Sequence, residues 1–191
     1  MKEKNLEEMS LEALWKLFPI VLKPHQPTWY TQFKKEKDRL ESTLDLSKIR
    51  RIEHIGSTAI KTICAKPSVD ILMELKKEAL FDAFYEPLKK AGYIVMNKDK
   101  DRVSLNKGYT PKGYAKEVFH LHLRSFNNHD ELYFRDYLID FPKEAKVYQA
   151  LKKDLAQKHK HHRDDYTNQK SAYIKKITHK AKVYYNDKYK G

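Results

Sequence analysis

The stretch Val118-Phe119-His120-Leu121-His122-Leu123 alternates more clearly than any other in the chain, and a period of two is what a strand with one buried face requires. It places Leu121 and Leu123 on one side and the two imidazoles together on the other. Two more strands are predicted upstream, Ile49 to Ile55, broken by Gly56-Ser57-Thr58, and Ser68 to Leu75, introduced by Pro67. Tyr93 to Met96 and Val103 to Leu105 follow as strands or an edge hairpin, and Gly108 to Gly113 reads as a turn.

Helical patterns flank this middle. Ser10 caps a first helix that Pro19 stops, and Thr28 caps a second from Trp29 to about Thr43. Ala59 to Lys66 reads as a short helix or helical loop. Lys77 to Ala91 is predicted helical because Leu80, Phe84 and Leu88 recur every four residues before Gly92. Helices from Glu131, from Lys143 and from Thr167 to Tyr184 complete the chain. The expected fold is α+β, a small mixed sheet flanked by helices with a helical C-terminal third. It forms one domain over 1–191, with N-terminal helices in 1–45, the sheet in 46–125 and the helical part in 130–191.

Composition narrows the setting. Cys64 is the one cysteine, so neither an intrachain disulfide nor a cysteine zinc cluster can form, which fits a reducing, cytoplasmic location. No run of 18 apolar residues occurs, and Glu3, Glu7 and Glu8 have the wrong sign for a secretory leader. The net charge of +13 gathers toward the end, with 14 Lys and Arg against 5 Asp and Glu from Lys143 onward. That basic face either keeps helices solvated or attracts polyanions. For nucleic acid it offers charge and several tyrosines, without a base-reading motif.

The chemistry concentrates between Glu53 and Asp70. A strand ending in Gly56-Ser57 presents backbone N–H groups and a hydroxyl to an anion, because glycine has no Cβ to block close approach. Asp70, on the next strand, can hold a divalent ion beside that anion. The Gly-Ser pair, a dozen residues and an Asp on a strand resemble the nucleotidyltransferase superfamily. The strings Glu53-His54-Ile55-Gly56-Ser57-Thr58-Ala59-Ile60 and Ala65-Lys66-Pro67-Ser68-Val69-Asp70-Ile71-Leu72 resemble the GrpB family within it. Agreement continues at Phe119-His120-Leu121-His122 and Tyr133 to Leu138, and roughly from Leu14 to Ile177 overall.

That resemblance implies a nucleotidyltransferase-like fold and a nucleotide or other phosphorylated small molecule as ligand. Metal-dependent nucleotidyl or phosphoryl transfer is one implied activity, and a regulatory or ligand-binding protein that has lost the chemistry is the alternative. Gly56, Ser57, Thr58, Lys66 and Arg102 are expected at the phosphate, with Asp70, Ser57 and His54 catalytic. Asp70, His120 and His122 are expected around Mg, Mn or Zn, the imidazoles favouring a transition metal. If no ion binds, the histidines can donate to a phosphate. The superfamily's second carboxylate, two residues after the first, is here Leu72. Glu74 is a poor substitute, about 13 Å along the strand from Asp70. Arg135 and Asp136 read as a buried anchoring pair, and Tyr166, Thr167 and Lys170 border the cleft or, for Thr167, cap a helix.

Overall fold

The computed structural model describes residues 6–186, 188 and 189; Glu3 and both ends of the expected 1–191 domain lie outside the described residues. Five strands form one mixed sheet: β1 (Ile49–Ile55), β2 (Val69–Leu75), β3 (Ile94–Lys98), β4 (Arg102–Thr110) and β5 (Gly113–Arg124), in the spatial order β1-β2-β5-β4-β3. Only the central pair, β2 and β5, is parallel, and its register sets Asp70 beside His120 and Leu72 beside His122. The expected six-residue turn is tighter, because β4 continues to Thr110 and β5 starts at Gly113.

Period two then sorts the chemistry from the core. Val69, Ile71 and Met73 of β2 and Phe119, Leu121 and Leu123 of β5 point to one face, where they pack with Trp29, Phe33 and Leu40 of α2 (Thr28–Thr43) and Phe84 and Leu88 of α3 (Asp82–Lys90). Each fully buried side chain of this kind stabilises the fold by roughly 1.5–3 kcal/mol. Asp70, Leu72 and Glu74 alternate onto the other face. That face is covered by α4 (Asp130–Asp140), whose Leu132 sits on Ile55 and Leu72. A further apolar cluster joins α4 to α5 (Pro142–Lys158), α6 (Arg163–Tyr185) and the loop after β1 through Ile60, Phe134, Tyr148 and Ile177.

Several local expectations are corrected. Leu80 precedes α3 and is 74% exposed, so the four-residue repeat begins at Phe84. Residues 59–66 form no full helix, only a 3-10 turn, Ser57–Ala59, followed by irregular chain that bridges to Lys23 through Ala65. Ser10 does cap α1 (Leu11–Leu17), its hydroxyl accepting from the Ala13 N–H, whereas Thr28 opens α2 without capping it. The last helix starts at Arg163 rather than Thr167, which removes Thr167 from any capping role. Among the described residues no helix is long and apolar enough to cross a membrane.

Candidate anion site

At the start of β2 the chain passes so close to the end of β1 that residue 56 has to be glycine. Its φ is +69°, and a Cβ there would lie 2.4 Å from Asp70 Oδ2. The turn carries Ser57 past the Asp70 side chain. Lys152 of α5 reaches in from the opposite side, its Nζ 2.8 Å from Ser57 Oγ, and it also donates to the Cys64 carbonyl.

Asp70 ends two hydrogen-bond chains. Arg163 donates to the Tyr109 hydroxyl (2.6 Å), Tyr109 donates to His120 Nε2 (2.8 Å), and His120 Nδ1 donates to Asp70 Oδ1 (3.0 Å). On the other side Glu131 holds Arg124 (2.6 Å), Arg124 donates to His122 Nδ1 (3.2 Å), and His122 Nε2 donates to the same Oδ1 (3.3 Å). These tautomers follow from the partners each ring meets. Burial pushes the His120 imidazole down to about 4, so it is neutral at pH 7. Burial also acts to raise the Asp70 carboxyl, but the bonds from His120 and His122 outweigh it and hold the group far below the usual carboxylate range.

Four cations face this one carboxylate. Lys66, Lys152, Arg163 and Lys170 are close enough to influence one another, and among the described residues none lies within ion-pair distance of an acid. Aromatic faces hold them instead: Lys170 and Lys66 lie 4.0 and 5.5 Å from the Tyr166 ring, Lys152 lies 4.9 Å from Tyr148, and Arg163 lies 5.1 Å from Tyr109. Desolvation first, and repulsion from Arg163 and Lys170 next, push Lys66 down to about 7. Desolvation brings Lys152 to about 7 and Lys170 to about 8. Clustered, dehydrated cations that share a single carboxylate destabilise an empty site and favour one filled by a further anion.

The structure gathers Gly56, Ser57, Lys66, Asp70, His120 and His122, but not the other expected residues. His54 is on the opposite face, because Ile55 rather than His54 pairs with Asp70. Its ring stacks on Phe33 at 4.9 Å, and its Nε2 meets the buried Thr58 hydroxyl at 2.9 Å, so both side chains serve the packing beneath the sheet. Arg102 pairs in register with Arg124, at the far end from His120, and its exposed guanidinium lies 3.4 Å from Asp101. Glu74 is fully buried with Arg50, His129 and the Asn127 N–H. Arg135 does anchor α4, bonding Asp136, Glu53 and the His54 carbonyl.

Sequence reasoning missed Lys152, Arg163, Tyr109 and Tyr148. Lys152 was detectable, since it falls on the buried stripe of α5 with Ala145, Tyr148 and Leu155. Arg163 was hidden at the end of the basic, histidine-rich run.

A model of the family described as GrpB protein matches residues 19–180. The chain belongs to the GrpB family. It is 32% identical over 163 residues to the glutamate-rich protein GrpB of Alkalihalophilus pseudofirmus, covering 83% of this chain and 93% of that one. The crystal structure of GrpB from Enterococcus faecalis is similar with a TM-score of 0.75 at 33% identity, over 86% of this chain and 99% of that one. A structure of the Cid1 poly(U) polymerase bound to MgATP is similar with a TM-score of 0.51 at 14% identity, over 77% of this chain and 46% of that one. The GrpB chain thus has a nucleotidyltransferase-like fold.

Of the ions expected at Asp70, His120 and His122, magnesium does not suit this donor set. Mg²⁺ prefers hard oxygen ligands, whereas Leu72 is fully buried at the second acidic position and the remaining partners of Asp70 are imidazoles. Asp70, His120 and His122, expected to converge on an ion, converge on one another. Among the described residues no three His, Cys, Asp or Glu side chains are arranged to hold a metal.

Proposed function

We propose that this GrpB protein binds a nucleotide or other phosphorylated small molecule and holds the phosphates with its own side chains. The observation that carries the reading is the set of four acid-free cations, Lys66, Lys152, Arg163 and Lys170, around the Gly56-Ser57 turn. Ammonium and guanidinium groups supply here the positive charge that a metal supplies elsewhere, and charge-assisted bonds to phosphate are among the stronger hydrogen bonds available. Ser57 and the backbone beside Gly56 add uncharged donors.

The same residues support a ligand-binding or regulatory protein over a transferase. Two-metal transfer needs a pair of carboxylates at the ions, and Leu72 stands where the second would be. Calorimetry against ATP, CTP, GTP and coenzyme A, in Mg²⁺ and again in EDTA, tests this. Saturable binding that survives EDTA, weakens in Lys170→Ala and gives no turnover of labelled nucleotide is expected. Binding by none of the four, or binding lost with the metal, overturns it.

A further inference from the structure

Beside the cation cluster lies a hollow of about 280 Å³, near the lower end of volumes that hold small ligands. Pro19, Val21, Pro67, Tyr109 and Tyr114 give it mostly apolar walls, and Lys23, Lys66, Lys116 and Ser68 line it as well. No carboxylate lines it among the described residues. Lys66 and Tyr109 belong both to this hollow and to the cation cluster. Lys66 is electrostatically coupled to Arg163, Lys170 and Lys152, and the Tyr109 hydroxyl bonds Arg163 and His120. The hollow therefore adjoins the cation cluster through Lys66 and Tyr109.

We infer that this hollow is a nucleobase subsite beside the cations, so that the ligand class is the nucleoside polyphosphates rather than bare polyphosphate. This rests on the phosphate reading above. Tyr114 is the candidate platform. Its ring meets Tyr109 edge-on at 5.4 Å and Phe18 tilted at 5.0 Å, neither of them a parallel stack, and 38% of the residue remains exposed. A base laid against it also covers the prolines and Val21, while its phosphates run past Lys66 toward Lys152 and Lys170. A volume of about 280 Å³ suits a compact ring system, and aromatic stacking accepts any base because each has a π-face.

Calorimetry of the full chain with ATP and with inorganic tripolyphosphate separates the subsite from the cation cluster. ATP is expected to bind roughly five- to a hundredfold tighter, the span that stacking on one aromatic ring provides. Tyr114→Leu, which keeps apolar bulk against Phe18, should erase that advantage and leave tripolyphosphate affinity where it was, whereas Lys170→Ala should weaken both ligands. Equal affinity for the two ligands, or equal loss for both in Tyr114→Leu, overturns the base subsite while leaving the phosphate reading standing. Failure of both ligands to bind overturns both.

Discussion

Lys152 and Ser57 are 95 residues apart in sequence and 2.8 Å apart in space. The contact brackets the candidate anion site from two sides, because it fastens α5 to the glycine turn that packs against Asp70. Lys152→Met keeps the length of the side chain and removes its charge. Affinity for ATP is expected to fall at least tenfold, the equivalent of one charged hydrogen bond. The ligand-free melting temperature should change little, since losing a donor to the Cys64 carbonyl is offset by no longer burying an amine. Calorimetry and thermal melts of the same preparation check both halves.

The three lysines give a pH dependence of defined sign. Lys66 and Lys152 lie near 7 and Lys170 near 8 in the folded chain, against 10.5 for an ordinary lysine. Between these values the unfolded chain binds more protons than the folded one, so ligand-free stability rises with pH from about 7 toward 10. A bound polyanion favours the charged lysines and works in the opposite direction. Binding should therefore take up protons and weaken as pH climbs above 8. Melting curves from pH 6 to 9, with and without ATP, should converge toward the alkaline end; a ligand-induced shift that grows with pH would sink the assignment.

Asp70→Asn distinguishes cation-held phosphate from metal-held phosphate. Among the described residues Asp70 is the one carboxylate that faces the four cations, so neutralising it is expected to tighten tripolyphosphate binding several-fold while lowering the ligand-free melting temperature. Were an ion bridging Asp70 and phosphate, the same change would abolish binding.

Gly56→Ala tests the turn. A methyl group there collides with the Asp70 carboxylate and sits on a backbone angle that alanine rarely adopts, a strain of about 1–3 kcal/mol. Both a lower melting temperature and loss of phosphate affinity are expected, as the turn shifts away from Lys152.

The central strands and the pairing of His120 with His122 were legible because alternation states which residues share a face. That Ser57 and Asp70 lie close together was legible because a strand that ends in Gly-Ser and a carboxylate at the start of the next strand meet where the two strands pair. His54 was misassigned by a single residue of parity. The antiparallel register of β1 on β2 sends Ile55 up and His54 down, and nothing local in either strand fixes that register. Arg102 failed for a related reason, since its distance from His120 along the sheet follows from how β4 pairs with β5. Arg163 depended on where α6 begins, and a helix start four residues earlier than predicted turned a loop cation into a wall of the site.

The aromatic seats beneath Lys152, Lys170 and Arg163 have a kinetic consequence. A lysine held by an aspartate must give up that partner before it can greet a newcomer, and the exchange slows capture. If the proposed phosphate reading holds, an arriving anion has no acid to displace from these cations among the described residues, and small inorganic anions in the medium are expected to compete with the ligand.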